Sequence, residues 1–351
     1  MREPPLFFYT GRDPLNRSVG FLATPRDHFR PAFVFLVLAV ALTGAFGYSL
    51  LSGDVRIPLG EVLRILSSGA GDVNGSQGNL ARAVIWQVRL PRALTALATG
   101  AGLAGCGVLF QALLLNPLAE PYTLGVASGA AFGAAAAISF QWPFLTFWAF
   151  AGSVGALGVV FLLGGRGALR EPTRMILAGV VVGSILSAAI ALLKALSGQM
   201  MAAIVLWIMG SFAGSSWVSV AWCLPAAILV GGLGFGLHRD LDIVASGSPA
   251  MALGVNEPRL RLGLLLVSSL ATAVFVSFSG VVGFVGLVVP HLVRILAGPN
   301  HVRLVPLSFL GGGLLMLIAD QAARGLSELP VGVITALVGG PVFCLLLWRR
   351  A

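Results

Sequence analysis

Charge is what this sequence has least of: Asp, Glu, Lys and Arg together make up 10% of its 351 residues. A soluble domain carries about 25%, so a surface facing water on all sides is excluded. Lysine is nearly missing, with Lys194 the only one. It stands in Leu-Leu-Lys-Ala-Leu, without the Gly-rich turn and following Ser or Thr that cradle nucleotide phosphates. ATP chemistry on this chain is therefore excluded. The three cysteines, Cys106, Cys223 and Cys344, lie singly inside apolar runs. They have neither metal-ligand nor redox spacing and read as small buried residues. The four histidines are scattered, so no metal site is expected. Short segments of alternating polarity, the mark of a membrane barrel, are missing as well.

What is there is apolar sequence in long runs, 57% of the chain. About 20 such residues cross the hydrocarbon of a bilayer as a helix. The runs predict ten spans, near 32–52, 90–114, 121–140, 144–165, 174–196, 217–237, 258–278, 281–297, 304–324 and 330–349. Between the first two lies a more polar connection, 53–89, with a short amphipathic helix in IPLGEVLRIL. A second irregular connection, 198–216, holds a short helix around MAAIVLWIMG. The fold class is an all-α, multi-pass membrane protein with one membrane domain over 32–351.

The net charge of +9 speaks to topology rather than to nucleic acid. With both termini on one side, fifteen of the 22 Lys and Arg residues fall there and seven on the other. Positive charge marks the cytoplasmic side, so both termini are expected in the cytoplasm. The tail over 1–31 carries Arg2, Arg12, Arg17, Arg26 and Arg30, which suits attraction to anionic lipid. The run behind it is long and lacks a small-residue cleavage site, so it reads as a retained first helix.

Asn116–Ala134, NPLAEPYTLGVASGAAFGA, interrupts this apolar chain. Pro117 and Pro121 disfavour helix at Asn116 and Glu120, and Pro121 suits a first helical position. Glu120 then stands beside the positive end of the next helix. The segment reads as a rigid cytoplasmic turn. Behind it, Gly125, Gly129 and Gly133 recur every four residues and present a face for close helix approach.

Several separated blocks carry a family resemblance. They are Arg89-Leu-Pro-Arg92, Asn116–Pro121, the Gly125–Gly133 face, Val289-Pro-His291, Asp320 with Arg324, and Leu329-Pro-Val-Gly332. In this order, from about Trp86 to the C-terminus, the chain resembles the FecCD-like permeases of bacterial ABC importers for iron–siderophores, haem and cobalamin. That resemblance implies a type II importer permease fold of ten helices in the bacterial inner membrane, working as a homodimer. It implies two separate ATPase subunits, which bind the ATP and Mg, and a periplasmic binding protein that delivers the cargo. The chain itself is expected to be no enzyme and to hold no cofactor.

By the same resemblance, Arg89, Arg92 and Arg324 meet acidic groups of the binding protein. Arg89 and Arg92, spaced i, i+3, share one face if helical, and charges on such a rim steer docking. Asp320 is expected to pair locally with Arg324, since a lone intramembrane charge is costly. Asn116, Leu118, Pro172 and Thr173 match a cytoplasmic gate, and the fifth and tenth spans match the walls of the pathway. The connection 238–256 matches the ATPase-coupling segment. There Ala252, Leu253, Gly254 and Val255 keep the family pattern, while Asp242 and Ser246 through Ser248 depart from it. His291 reads as a family feature rather than a haem ligand. The cargo implied is an iron chelate, siderophore or haem, with cobalamin as the alternative. An ion-coupled secondary transporter is the reading from another class. It would need mid-membrane carboxylates, and Asp320 is the only acidic residue inside the ten spans.

Overall fold

Glycines replace bulk along one helix of this chain, and the rest of the bundle closes around it. A computed structural model describes residues 31–53, 55–68, 76–165, 171–247 and 250–348. The tail over 1–30, Arg166 and Arg170, Ser248, and Arg349 and Arg350 lie outside them. The helices are α1 Pro31–Leu51, α2 Leu59–Ser68, α3 Ser76–Ala83, α4 Leu90–Leu113, α5 Val126–Ser139, α6 Leu145–Gly164 and α7 Pro172–Leu196. They continue as α8 Met201–Met209, α9 Trp217–Gly236, α10 His238–Ala245, α11 Glu257–Ser279, α12 Val285–Ala297, α13 His301–Gly325 and α14 Val331–Trp348. No strand occurs among the described residues.

Seven of these helical stretches are long and apolar enough to cross a bilayer: α1, Leu80–Leu113, α6, α7, α9, α11 and α13. The other three expected spans appear as the shorter apolar helices α5, α12 and α14. The second span differs from its expected start at residue 90. A π-helical turn, Val84–Arg89, joins α3 to α4, so the helix begins well before the apolar run does. The third span also differs. Pro121–Leu124 is a 3₁₀ turn, and the α-helix starts only after Gly125, whose φ of 75° is left-handed. The eighth is shorter than 281–297 because Gly280 and Phe284 break the chain with φ of 69° and 68°.

α4 is the buried axis, enclosed along nearly its whole length. Between helices in lipid, packing contacts supply the attraction that water supplies elsewhere, and small residues let backbones meet. A Cβ on Gly100 would lie 2.3 Å from the Gly312 carbonyl oxygen of α13, and one on Gly312 would lie 2.3 Å from that of Gly100. Gly102 makes room for Phe275 of α11, Gly105 for Phe309 of α13, and Gly107 for the Gly286 backbone of α12. The bundle is thus keyed to α4 by four glycines within about two turns.

The expected glycine face of the third span divides in two. Gly129 and Gly133 do pack against α6, where a Cβ would fall 2.4 Å from Gly152 O and 2.1 Å from Trp148 O. Gly125 instead supplies the left-handed residue at the break and faces Gly179 of α7.

Candidate functional site

Two polar clusters lie at opposite ends of α13. At its C-terminal end, on the side that the charge distribution assigns to the exterior, four elements converge. The Arg89 Nη1 donates to the carbonyls of Leu50 at 2.7 Å and Leu51 at 3.1 Å, and its Nη2 donates to Val55 O. Arg89 thereby satisfies the last carbonyls of α1, the groups a helix leaves orphaned at its C-terminus. Gly53 leaves the room for this, since a Cβ there would lie 2.8 Å from Arg89 Nη2.

Arg92, one turn into α4, is 6% exposed. Its Nε donates to Asp320 Oδ1 at 3.0 Å, and Nη1 and Nη2 donate to Glu328 Oε1 and Oε2 at 2.8 and 2.7 Å. Asp320 is wholly buried and also holds Arg324 Nη2 at 2.9 Å. Arg324 Nη1 reaches Ser49 O at 3.3 Å. Buried charges persist only when paired and hydrogen-bonded, and Asp320 sits between two arginines. The hydrogen bonds that Glu328 accepts from Arg92 chiefly hold its carboxyl below the usual range; burial opposes this, and the charges of Arg92 and Arg324 assist it. The three arginines named from the sequence do assemble, yet Arg89 and Arg92 are buried, Arg324 is only partly exposed, and each is engaged within the chain. Glu328 was not singled out from sequence, because it sits in a link outside every span.

At the other end lies the Asn116 turn. Asn116 Oδ1 accepts the Leu118 N–H at 2.9 Å, an Asx turn, and Ala119 N donates to Asn116 O at 3.0 Å. Leu118 stands exposed at its tip. The turn is held from behind by Arg261 of α11, whose Nε donates to Leu113 O at 2.9 Å and which pairs with Glu257 at 2.5 Å. Tyr122 Oη donates to Val282 O at 2.8 Å, tying the 3₁₀ turn to the break before α12. Burial raises the Glu120 carboxyl to about 7. The helix-end stabilisation expected for Glu120 is thus outweighed, because the α-helix starts only beyond Gly125. Pro172 and Thr173, expected just ahead of the fifth span, instead form the first turn of α7. α7 meets the turn further along, where Gly179 lies against Thr123 O.

Beside this turn α10 crosses to the start of α13. Asp242 Oδ1 accepts His301 N–H at 3.0 Å and contacts His301 Nδ1 at 2.5 Å. Burial alone would raise the Asp242 carboxyl, but the hydrogen bonds and charge of His301 hold it below the usual range. Asp242 is thus tied to the first residue of α13, although its side chain is 38% exposed. Ser246 Oγ donates to Ile243 O at 2.7 Å and ends α10. A 3₁₀ turn follows over Ala250–Leu253, then Gly254 with φ of 82°. Ala250 and Val255 pack on Val244, whereas Met251 and Leu253 project outward, 77% and 59% exposed. Of the residues expected on this segment, Ser246, Leu253 and Gly254 are exposed, and Met251 projects beside them. His301, which holds the segment in place, carried no sequence signal, since its partner Asp242 lies 59 residues away, and the bond from Arg261 to Leu113 O was hidden in the same way by 148 residues. Among the described residues no group of His, Cys, Asp and Glu could hold a metal ion.

The comparisons agree with this architecture. The molybdate import permease MolB of Haemophilus influenzae is 36% identical over 93% of this chain and 96% of its own. The hemin transport permease HmuU of Yersinia pestis is 39% identical over 76% of this chain and 84% of its own. A solved structure described as an inward-facing metal-chelate type ABC transporter superposes with a TM-score of 0.78 at 34% identity, covering 91% of this chain and 99% of that one. The FecCD transport family matches over residues 38–349, and with that span, these identities and this fold, the chain belongs to the FecCD transport family.

Proposed function

We propose that this chain is the membrane subunit of an ATP-driven importer that moves an iron chelate, siderophore or haem, into the cytoplasm. The observation that carries it is family membership along nearly the whole chain. The hemin permease, 39% identical, supports an iron-bearing cargo. A molybdate cargo is the second reading, because the molybdate permease matches over a longer share of both chains. Cobalamin, the alternative drawn from the resemblance, stands behind these two.

Energy comes from two separate ATPase subunits, which dock on the segment that exposes Met251 and Leu253 next to α10. A second copy packs against this one through apolar faces of α7 and α14, where Leu177, Val180, Ile185 and Leu337 are exposed. Release to the cytoplasm is controlled by Asn116, Leu118, Pro172 and Thr173, which gate the path without selecting cargo. The binding protein docks on the outer rim around Arg89, Arg92 and Arg324. Of these, Arg92 has the most to offer, because one edge of its guanidinium ends on the exposed carboxylate of Glu328. The ion-coupled alternative loses its one candidate carboxylate, since Asp320 is held by Arg92 and Arg324.

The test is reconstitution of the full chain in liposomes with its ATPase and binding protein. Vanadate-sensitive hydrolysis is expected to rise when the binding protein is loaded with a ferric chelate or hemin. Stimulation by molybdate alone would move the cargo to the second reading, and no stimulation by any loaded binding protein would sink the importer assignment.

A further inference from the structure

Arg92 presents two donor edges, and carboxylates of opposite kinds hold them. The Nε edge faces Asp320, which has no solvent exposure and is shared with Arg324. The terminal edge, Nη1 and Nη2, faces Glu328 in a parallel bidentate pair at 2.8 and 2.7 Å. The Glu328 side chain is 52% exposed. One edge of the guanidinium is sealed inside the protein, and the other ends on a carboxylate that meets solvent.

The backbone that delivers Glu328 is unusual. It lies in the link between α13 and α14, where Ser327 and Glu328 have φ of 59° and 58°. The left-handed region is disfavoured for residues that carry a Cβ, and two in succession persist only when their surroundings hold them there. What holds the link is the Arg92 pair and the bond from Leu329 N to Ala323 O at 3.1 Å. A bidentate guanidinium–carboxylate pair is strong and shape-specific. At an open edge it can be exchanged for another carboxylate of the same geometry.

We infer that Glu328 is an internal placeholder for a carboxylate of the docking partner: it occupies the terminal edge of Arg92 in the free permease and yields that edge to a partner Glu or Asp. This rests on the proposed docking of a binding protein at the outer rim. The chemistry selects the occupant, because two parallel N–H donors on a rigid plane match a carboxylate. Asp320 keeps Arg92 charged and aimed throughout. One carboxylate replaces another, so the charge balance of the buried cluster is the same before and after. The partner competes with an intramolecular group at high effective concentration, which weakens docking and favours partners able to form the full bidentate pair. Once displaced, Glu328 no longer tethers the link that leads directly into α14.

The experiment uses the full chain with its ATPase in lipid nanodiscs, titrated with the transporter's own binding protein at low and high salt. Glu328→Gln is expected to tighten binding about tenfold, and Glu328→Asp, which keeps the charge but shortens its reach, by less. Arg92→Gln is expected to weaken binding, most clearly at low salt. Thermal midpoints recorded on the same samples show whether each variant is folded. If both Glu328 variants bind no better than wild type while Arg92→Gln loses affinity, the placeholder is refuted and the docking reading stands. If Arg92→Gln binds as wild type does, the docking reading fails and the placeholder fails with it.

Discussion

Asp320 and Glu328 touch the same arginine, but they differ in what their loss leaves behind. Asp320 is buried between Arg92 and Arg324; Asp320→Ala strands two largely buried cations and is expected to destabilise the chain by about 3–5 kcal/mol. Glu328→Gln removes one exposed member of a pair, with an expected cost below about 1 kcal/mol. Thermal unfolding in detergent separates them, and equal losses would mean that the cluster is not layered as described. Glu120 makes a pH prediction. Its carboxyl is raised from 4.5 to about 7, so the folded chain binds this proton more tightly than the unfolded chain does. Stability is complete below pH 4.5, falls as pH rises through the interval to about 7, and is flat above it. The loss is on the order of 3 kcal/mol. Unfolding followed across that range should slope for wild type and flatten for Glu120→Gln. At this scale the sequence shows Asp320 with Arg324, because i, i+4 spacing puts them on one helix face. It cannot show Arg92 with Asp320, which are 228 residues apart.

The close helix contacts are contacts of backbone, and they make glycine positions unequal. Gly312→Ala would push a methyl into Gly100 O and Ala104 Cβ, with an expected cost of about 1–3 kcal/mol. Gly155→Ala on α6 meets nothing within 4 Å and should be neutral or stabilising by up to about 1 kcal/mol. Melting curves of the two variants check this, and similar curves would show that α4 and α13 have slack between them. Much of the element plan was legible, because spans announce themselves as apolar runs, although α7 begins at Pro172, two residues before its run does. The breaks were less so. A glycine that faces a neighbouring helix and one that supplies a left-handed turn look alike in sequence, so spacing alone groups Gly125 with Gly129 and Gly133. The early start of the α4 stretch was hidden because residues 76–89 are polar enough to read as loop.

For the molecule as a whole, α13 is the element that joins the two clusters. Its 25 residues span about 37 Å, enough to cross the bilayer. Its first residue is held by Asp242 of α10 through backbone and imidazole, and its last turns carry Asp320 and Arg324 beside Arg92. A continuous helix pinned at both ends can carry displacement along its length, so under the proposed function it is the physical link between docking outside and hydrolysis inside. Long-range coupling in proteins is typically worth about 1–3 kcal/mol, or roughly 5- to 150-fold. Breaking the inner pin should remove coupling while leaving the outer rim alone. His301→Ala is therefore expected to lower the stimulation of ATP hydrolysis by loaded binding protein at least about fivefold, while binding-protein affinity stays within about twofold. Arg92→Gln should reverse the pattern, with affinity lost and stimulation recovered at saturating binding protein. If His301→Ala weakens binding as much as it weakens stimulation, α13 is not the connecting rod, and the signal runs through the α4 axis instead.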